Sequence, residues 1–284
     1  MTMKKIHIIG LGLIGGSFAL AIKKSLPQVT ITGFDKKQQH QEDAKSLNLI
    51  TEIKEIPDQD TDLILLATPA DTLLPIALQL LENIGPDTLI IDFGSTKASI
   101  CENLANHPKR SQFLAGHPIA GTEYSGPRAA KEDLLERKVF IICEMEKTDI
   151  HLKEKAYILL DALNMKLRFM DPKDHDLHLA FVSHLSHISS FMLGKTVLDK
   201  MDDESHIFDM AGSGFASTVR LSKSSPEMWV PIIKENKLHI LEALGSYIIR
   251  LQSFQKRIAE GKFEDLQSEM ENINRIKDIL DLDK

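Results

Sequence analysis

Short apolar runs alternate with amphipathic ones through the first half of the chain. "KKIHIIG" (4–10) reads as a strand ending in glycine, and "LIGGSFALAIKKS" (13–25) then takes a helical period. "VTITGFD" (29–35) is rich in β-branched residues and ends in an acid, while "DLILLAT" (62–68) and "DTLIIDFG" (87–94) are almost wholly apolar. Strands of a parallel sheet, covered on both faces, carry this pattern. "QFLAG" (112–116) and "RKVFIICE" (137–144) add two more, and helix-like stretches such as "ADTLLPIALQLLENIG" (70–85) separate them. Repeated βα units predict a doubly wound α/β sheet with right-handed crossovers.

From about Asp171 the strand signals stop and an all-α C-terminal domain is predicted. "DLHLAFVSHLSHISSFMLGKTVL" (176–198) reads as part of a long helix started by Asp171 and Pro172, an N-cap and first-turn pair. Ser225 and Pro226 open another, with Pro231 still in its first turns, and the apolar stripe Leu241, Leu244, Ile248, Leu251, Phe254, Ile258 runs along its length. "FEDLQSEMENINRIKDIL" (263–280) repeats the pattern more loosely. Such stripes pack on neighbouring helices or on a second subunit. The predicted domains are 1–170 for nucleotide binding and 171–284 for substrate binding and dimerisation, with a homodimer as the expected assembly.

The length of 284 residues agrees with two domains. A net charge of -7 offers no dominant basic face, so nucleic acid is not an expected partner, and an anionic ligand has to be held by a few local cations. Cys101 and Cys143 stand in no metal or redox spacing, which points to a reducing cytoplasm. Lys4 and Lys5 before an uncharged run ending in "ALA" (19–21) imitate a secretion signal. Glycines at 10, 12, 15 and 16 inside that run suit a strand, tight turn and helix instead, and no other stretch is long enough to span a bilayer.

Those glycines carry chemistry. Gly10, Gly12 and Gly15 form G-x-G-x-x-G between a strand and a helix, the turn of a Rossmann-type domain. Gly10 allows the turn, Gly12 lets a pyrophosphate approach the backbone, Gly15 lets helix pack on strand, and Leu13 and Ile14 open the helix whose N–H groups face the phosphates. Asp35, 20 residues past Gly15, can accept from an adenosine ribose and would repel a 2′-phosphate. Lys36 and Lys37 hint at NADP, but the acid at the strand tip outweighs them, and the expected cofactor is NAD.

Ligands of open α/β sheets bind beyond the carboxyl ends of the strands. That edge gathers Thr68 and Pro69, then Ser95 and Lys97, then "AGHPIAGTEYSG" (115–126), which reads as a loop carrying His117, Thr122 and Glu123. A histidine beside the nicotinamide can take a proton from an alcohol while hydride leaves the same carbon, and its pKa suits the task. Farther on, His175 and His184 fall about 180° apart on a regular helix, as do His178 and His187, so no face carries all four and a zinc site is not expected. His184 and His187 share a face and are expected to reach a polar cleft, whereas His175 and His178 are expected to be solvated. Arg220 lies between a glycine-rich loop and the Ser225 helix start, where it can bind a carboxylate. The composite is an NAD-dependent dehydrogenase of a hydroxylated carboxylate.

Six fragments together resemble the prephenate dehydrogenase family, with its arogenate-specific relatives: "GLGLIGGS", "ATP" (67–69), "DFGSTK", "GHPIAGTEYSG", "SHLSH" and "SSPEMW". The resemblance runs from residue 5 to about 240 and implies oxidative decarboxylation of prephenate to 4-hydroxyphenylpyruvate on the route to tyrosine. It implies His117 as the base at the ring hydroxyl, Ser95 orienting it, Arg220 on the ring carboxylate, His187 at the side-chain end with His184 nearby, and Thr122 and Glu123 at the cleft entrance. Where many relatives have an arginine and an acid, this chain has Ala216 and Ser217, so a gating ion pair there is not expected. Arogenate as the substrate, a non-catalytic NAD sensor and a β-hydroxyacid dehydrogenase stand as alternatives.

Overall fold

The computed structural model describes residues 3–201, 204 and 206–281. Compactness divides the chain into two units, one up to Lys237 and one from Leu238 onward.

Among the described residues the first unit has eight strands: β1 (Lys5–Ile9), β2 (Thr30–Phe34), β3 (Glu52–Ile53), β4 (Leu63–Leu66), β5 (Leu89–Asp92), β6 (Phe113–Pro118), β7 (Val139–Cys143) and β8 (Lys166–Met170). They form one sheet in the order β3-β2-β1-β4-β5-β6-β7-β8. All neighbours are parallel except β6 and β7, which run antiparallel. The six runs read from the sequence are all strands. β3 is two residues long, and β8 has only partly covered side chains at the sheet edge, so neither leaves the apolar signature that marks the others.

Side chains alternate between the faces of a strand, and this parity separates two cores. Leu63 and Leu65 of β4 join one core with Phe18 and Ile22 of α1 (Leu13–Ser25). Ile64 and Leu66 join the other with Leu73, Ala77 and Leu81 of α3 (Ala70–Asn83), which follows α2 (Gln38–Ser46) in the chain, and with Ile100 and Leu104 of α4 (Ala98–Leu104). Leu159 and Leu160 of α5 (Ile150–Ala162) belong to the first layer. On β6, Leu114 faces the α1 side while Phe113 and Ala115 face the α4 side. His117 shares the parity of the latter two, and Asp92 of β5 shares that of Ile90.

After the sheet, α6 (Pro172–Leu179) begins at Asp171, whose carboxylate accepts the N–H of Lys173 at 2.8 Å. It continues without a break through one wide π turn (Ala180–His184) into α7 (Leu185–Met201). Then come α8 (Ser213–Thr218) and α9 (Pro226–Glu235). The single long helix expected from Pro226 onward is interrupted at Asn236, which is buried and leaves helical geometry. Its side-chain amide donates to the Asp176 carbonyl at 2.6 Å, a tertiary bond that fixes the break.

The second unit holds α10 (Lys237–Ala259) from Leu238 onward, α11 (Phe263–Ile273) and α12 (Ile276–Asp281). Arg257 pairs with Glu269 at 2.5 Å between α10 and α11. Within the predicted stripe, Leu241, Ile248, Leu251 and Ile258 are exposed. Among the described residues no helix is long and apolar enough to cross a membrane.

Candidate active site

A cleft of about 1870 Å³ opens along the carboxyl ends of the strands, wholly within the first unit. Gly10, Gly12, Leu13, Ile14, Asp35, Thr68, Pro69 and Ser95 line it, and so do His117, Thr122, Glu123, His184, His187 and Arg220.

The glycine turn is built for close approach. Gly10 has φ +93, and a Cβ there would run into the Ala67 carbonyl, while one on Gly15 would run into the Gly10 carbonyl. At Gly12 a Cβ would have nothing within 4 Å, so the backbone ahead of α1 is open to a ligand. No side chain caps α1, which leaves its first N–H groups available. Asp35 is held at the end of β2 by the N–H groups of Leu11 (2.8 Å) and Lys37 (2.9 Å). Lys37 itself reaches to Glu227 on α9 at 2.5 Å, which draws one of the two local cations into an ion pair.

Lys97 and His175 depart from the sequence expectations. Lys97, expected at the cofactor, is wholly buried and forms an ion pair with Asp92, whose other oxygen accepts the Gly94 N–H at 2.6 Å. Strand parity explains it: Asp92 points into the α4 layer, and the lysine that opens α4 meets it there. His175, expected to be solvated, is also wholly buried, while His178 is exposed as expected. The uniform period of 100° fails at the π turn. One extra residue in that turn rotates everything after it by about 100°, so His175 and His184 come to lie roughly 80° apart instead of 180°.

His117 sits on a strand and not in a loop, because β7 pairs with β6 as far as Pro118. Its Nδ1 lies 2.8 Å from His175 Nε2, and His175 Nδ1 lies 2.7 Å from Asp176 Oδ1. Asp176 also accepts the N–H groups of Lys97 (2.7 Å) and Ala98 (2.9 Å). No hydrogen bond joins Ser95 to His117; the ring of His117 is held by His175. Burial first, then the neighbouring His175, Lys97 and His184, push His117 well below the ordinary histidine pKa, so the ring is neutral near pH 7.

Burial brings His184 down to about 4, and His187 is lowered by the same cause. Asn236 meets His184 Nδ1 at 3.2 Å, and His187 Nδ1 donates to the Ser183 carbonyl at 3.0 Å. Both rings border Trp229, which stacks on His187 at 3.7 Å between centroids. Arg220 Nη1 donates to Glu123 Oε2 at 3.0 Å, so a pair spans the cleft mouth although Ala216 and Ser217 offer none. Asp176, Asn236 and Trp229 were not singled out from the sequence. The legible hint was the shared strand parity of Asp92 and His117, which demands polar partners from whatever packs on that face.

Residues 18–168 match the family "Prephenate dehydrogenase, nucleotide-binding domain", and residues 171–272 match "Prephenate dehydrogenase, dimerization domain". The chain belongs to the prephenate dehydrogenase family. Prephenate dehydrogenase of Bacillus subtilis (strain 168) is 33% identical over 268 residues, 92% of this chain and 72% of that protein. Among solved structures, the chain resembles prephenate dehydrogenase of Aquifex aeolicus in complex with hydroxyphenyl propionate and NAD+, with TM-score 0.89, 29% identity and 99% of each chain covered. Synechocystis arogenate dehydrogenase is also similar, with TM-score 0.76, 27% identity, and 97% of this chain and 99% of that one covered.

Proposed function

We propose that this cleft performs the NAD-dependent oxidative decarboxylation of prephenate to 4-hydroxyphenylpyruvate, with His117 as the base. The observation that carries the assignment of the base is a buried, neutral histidine on the cleft wall whose Nδ1 is already engaged within the protein. A base must be unprotonated at working pH and within reach of the proton it takes.

The residues fit the cofactor: Gly12 leaves the backbone open, and Asp35, fixed by the N–H groups of Leu11 and Lys37, lines the cleft just past the end of β2. NAD, when bound, accepts the hydride. His117 Nε2 takes the proton of the ring 4-hydroxyl as that hydride leaves the same carbon. The bond to the ring carboxylate breaks with loss of carbon dioxide, and its electron pair makes the ring aromatic and leaves a phenolate at the 4-oxygen. His117 returns the proton there, so the protein supplies position and one group that takes and gives back a proton. Arg220 faces the ring carboxylate, His187 the pyruvyl end with His184 beside it, and Ser95 the region between His117 and the nicotinamide. Thr122 and Glu123 stand at the entrance. In this reading residues 1–170 bind the nucleotide, and residues 171–284 complete the substrate site and form a homodimer. The exposed apolar side chains of the second unit, among them Leu238 (78% exposed) and Phe263 (65%), support that assembly. The two buried free thiols, Cys101 and Cys143, suit a reducing cytoplasm.

The same steps serve arogenate, whose amino group replaces the side-chain keto group, and the likeness to the Synechocystis enzyme keeps that substrate as the second reading. Purified protein with NAD is expected to form NADH on prephenate, and His117→Asn to abolish it. Turnover of arogenate alone would transfer the assignment to that substrate, and turnover that survives the substitution would remove His117 from the role.

A further inference from the structure

His117 can act as a base only in one tautomer, and the protein behind it selects that tautomer. Starting from the far end, the Asp176 carboxylate has acceptors only. It accepts from the N–H groups of Lys97 and Ala98 and stands 2.7 Å from His175 Nδ1, so that nitrogen carries a proton. A neutral His175 then has a bare Nε2, and it lies 2.8 Å from His117 Nδ1. The proton between the two rings must therefore sit on His117 Nδ1. That leaves the lone pair of His117 on Nε2, which bonds to no described protein group. His175 is wholly buried and Asp176 is 2% exposed, so water does not compete for these bonds.

We propose that Asp176 and His175 are positioning residues that lock His117 in the Nδ1–H tautomer, presenting Nε2 to the substrate as the base. The inference rests on the reading of His117 given above. The two rings meet edge to face, with centroids 5.1 Å apart and planes inclined at 65°, so the contact between them is the directed bond and not stacking. Asp176 is itself placed by the backbone that opens α4 and by Asn236, which holds its carbonyl. One acid thus ties the strand-end histidine to the helix that follows β5 and to the break after α9.

The test uses the full chain with NAD bound. In the wild type, nitrogen-15 NMR of the imidazole is expected to show His117 protonated on Nδ1 and bare on Nε2, whether or not any substrate turns over. Asp176→Asn can turn its amide toward His175 and reverse the order of donors, so the His117 signal should shift to the other tautomer or to a mixture. In the same variant kcat should fall by roughly 10²–10⁴-fold, the usual contribution of a positioned base, with KM and NAD affinity little changed. His175→Gln, which retains an acceptor for His117, should recover part of the rate lost in His175→Leu, and this pair decides the matter if Asp176→Asn does not fold. A wild-type His117 protonated on Nε2 would overturn the proposal. So would an unaltered tautomer with unaltered kcat in Asp176→Asn, or equal rates for the two His175 variants. Absence of turnover on prephenate with the Nδ1–H tautomer intact would count against the substrate reading and leave the relay standing.

Discussion

Arg220 and Glu123 face each other across the cleft mouth, with Nη1 and Oε2 3.0 Å apart. The Glu123 carboxyl is held below its usual range by its own backbone N–H and by the Arg220 guanidinium. A substrate carboxylate that binds Arg220 therefore competes with an acid already in place.

The competition limits what Arg220→Ala can remove. A fully buried partner of a substrate carboxylate is worth about 2–5 kcal/mol, but this side chain is 51% exposed, so the effect should lie at the lower end or below. Steady-state kinetics should show KM for prephenate raised roughly tenfold with kcat little changed, as for a group that binds ground state and transition state alike. Glu123→Gln should lower KM, and a rise there would mean that the acid supports binding instead of competing with it.

Lys37 and Glu227 give a second expectation, at the cofactor end. Releasing the lysine by Glu227→Gln should raise kcat/KM for NADP by about threefold, in keeping with the small worth of an exposed pair, and leave NAD kinetics unchanged. Asp35 still repels the 2′-phosphate, so NAD should remain preferred. An unchanged NADP rate would show that Lys37 does not reach the ribose.

Gly12 and Gly15 should separate binding from folding. Gly15→Ala places a methyl against the Gly10 carbonyl, and overpacking of this kind costs about 1–3 kcal/mol. Urea unfolding should report that loss. Gly12→Ala meets no protein atom, so its stability should match the wild type while its Kd for NAD, measured by fluorescence quenching, rises.

Acid should destabilise the fold through its buried histidines. Burial holds His7 and His184 at about 4, and His117, His175 and His187 below their ordinary value. In the unfolded chain each takes its proton near pH 6.5. Between those values the unfolded state binds more protons, so stability rises with pH there. The contribution is fully present above about pH 6.5 and is lost as pH falls toward about 4. Urea midpoints measured at pH 7 and pH 5 should differ accordingly, and equal midpoints would mean that the rings are charged in the folded protein. The same neutrality should put the acid limb of kcat/KM below pH 6.5, because the base works unprotonated.

By itself the sequence determined the six apolar strands, the glycine turn and the edge of the sheet where chemistry is found. These are written locally: β-branched runs, a glycine at positive φ and an acid at a strand end act through neighbours a few residues away. It also named His117, His184, His187 and Arg220, all of which line one cleft. Only the tertiary structure decided what holds them. His117 bonds to a histidine 58 residues on, Lys97 to an acid whose parity on β5 turns it inward, and Arg220 to a glutamate 97 residues before it. The π turn that brings His184 round toward the face of His175, and the break at Asn236, depend on packing that no local period records. A hydrogen bond between distant residues exists only once two elements meet, and the geometry of that meeting is a property of the whole fold.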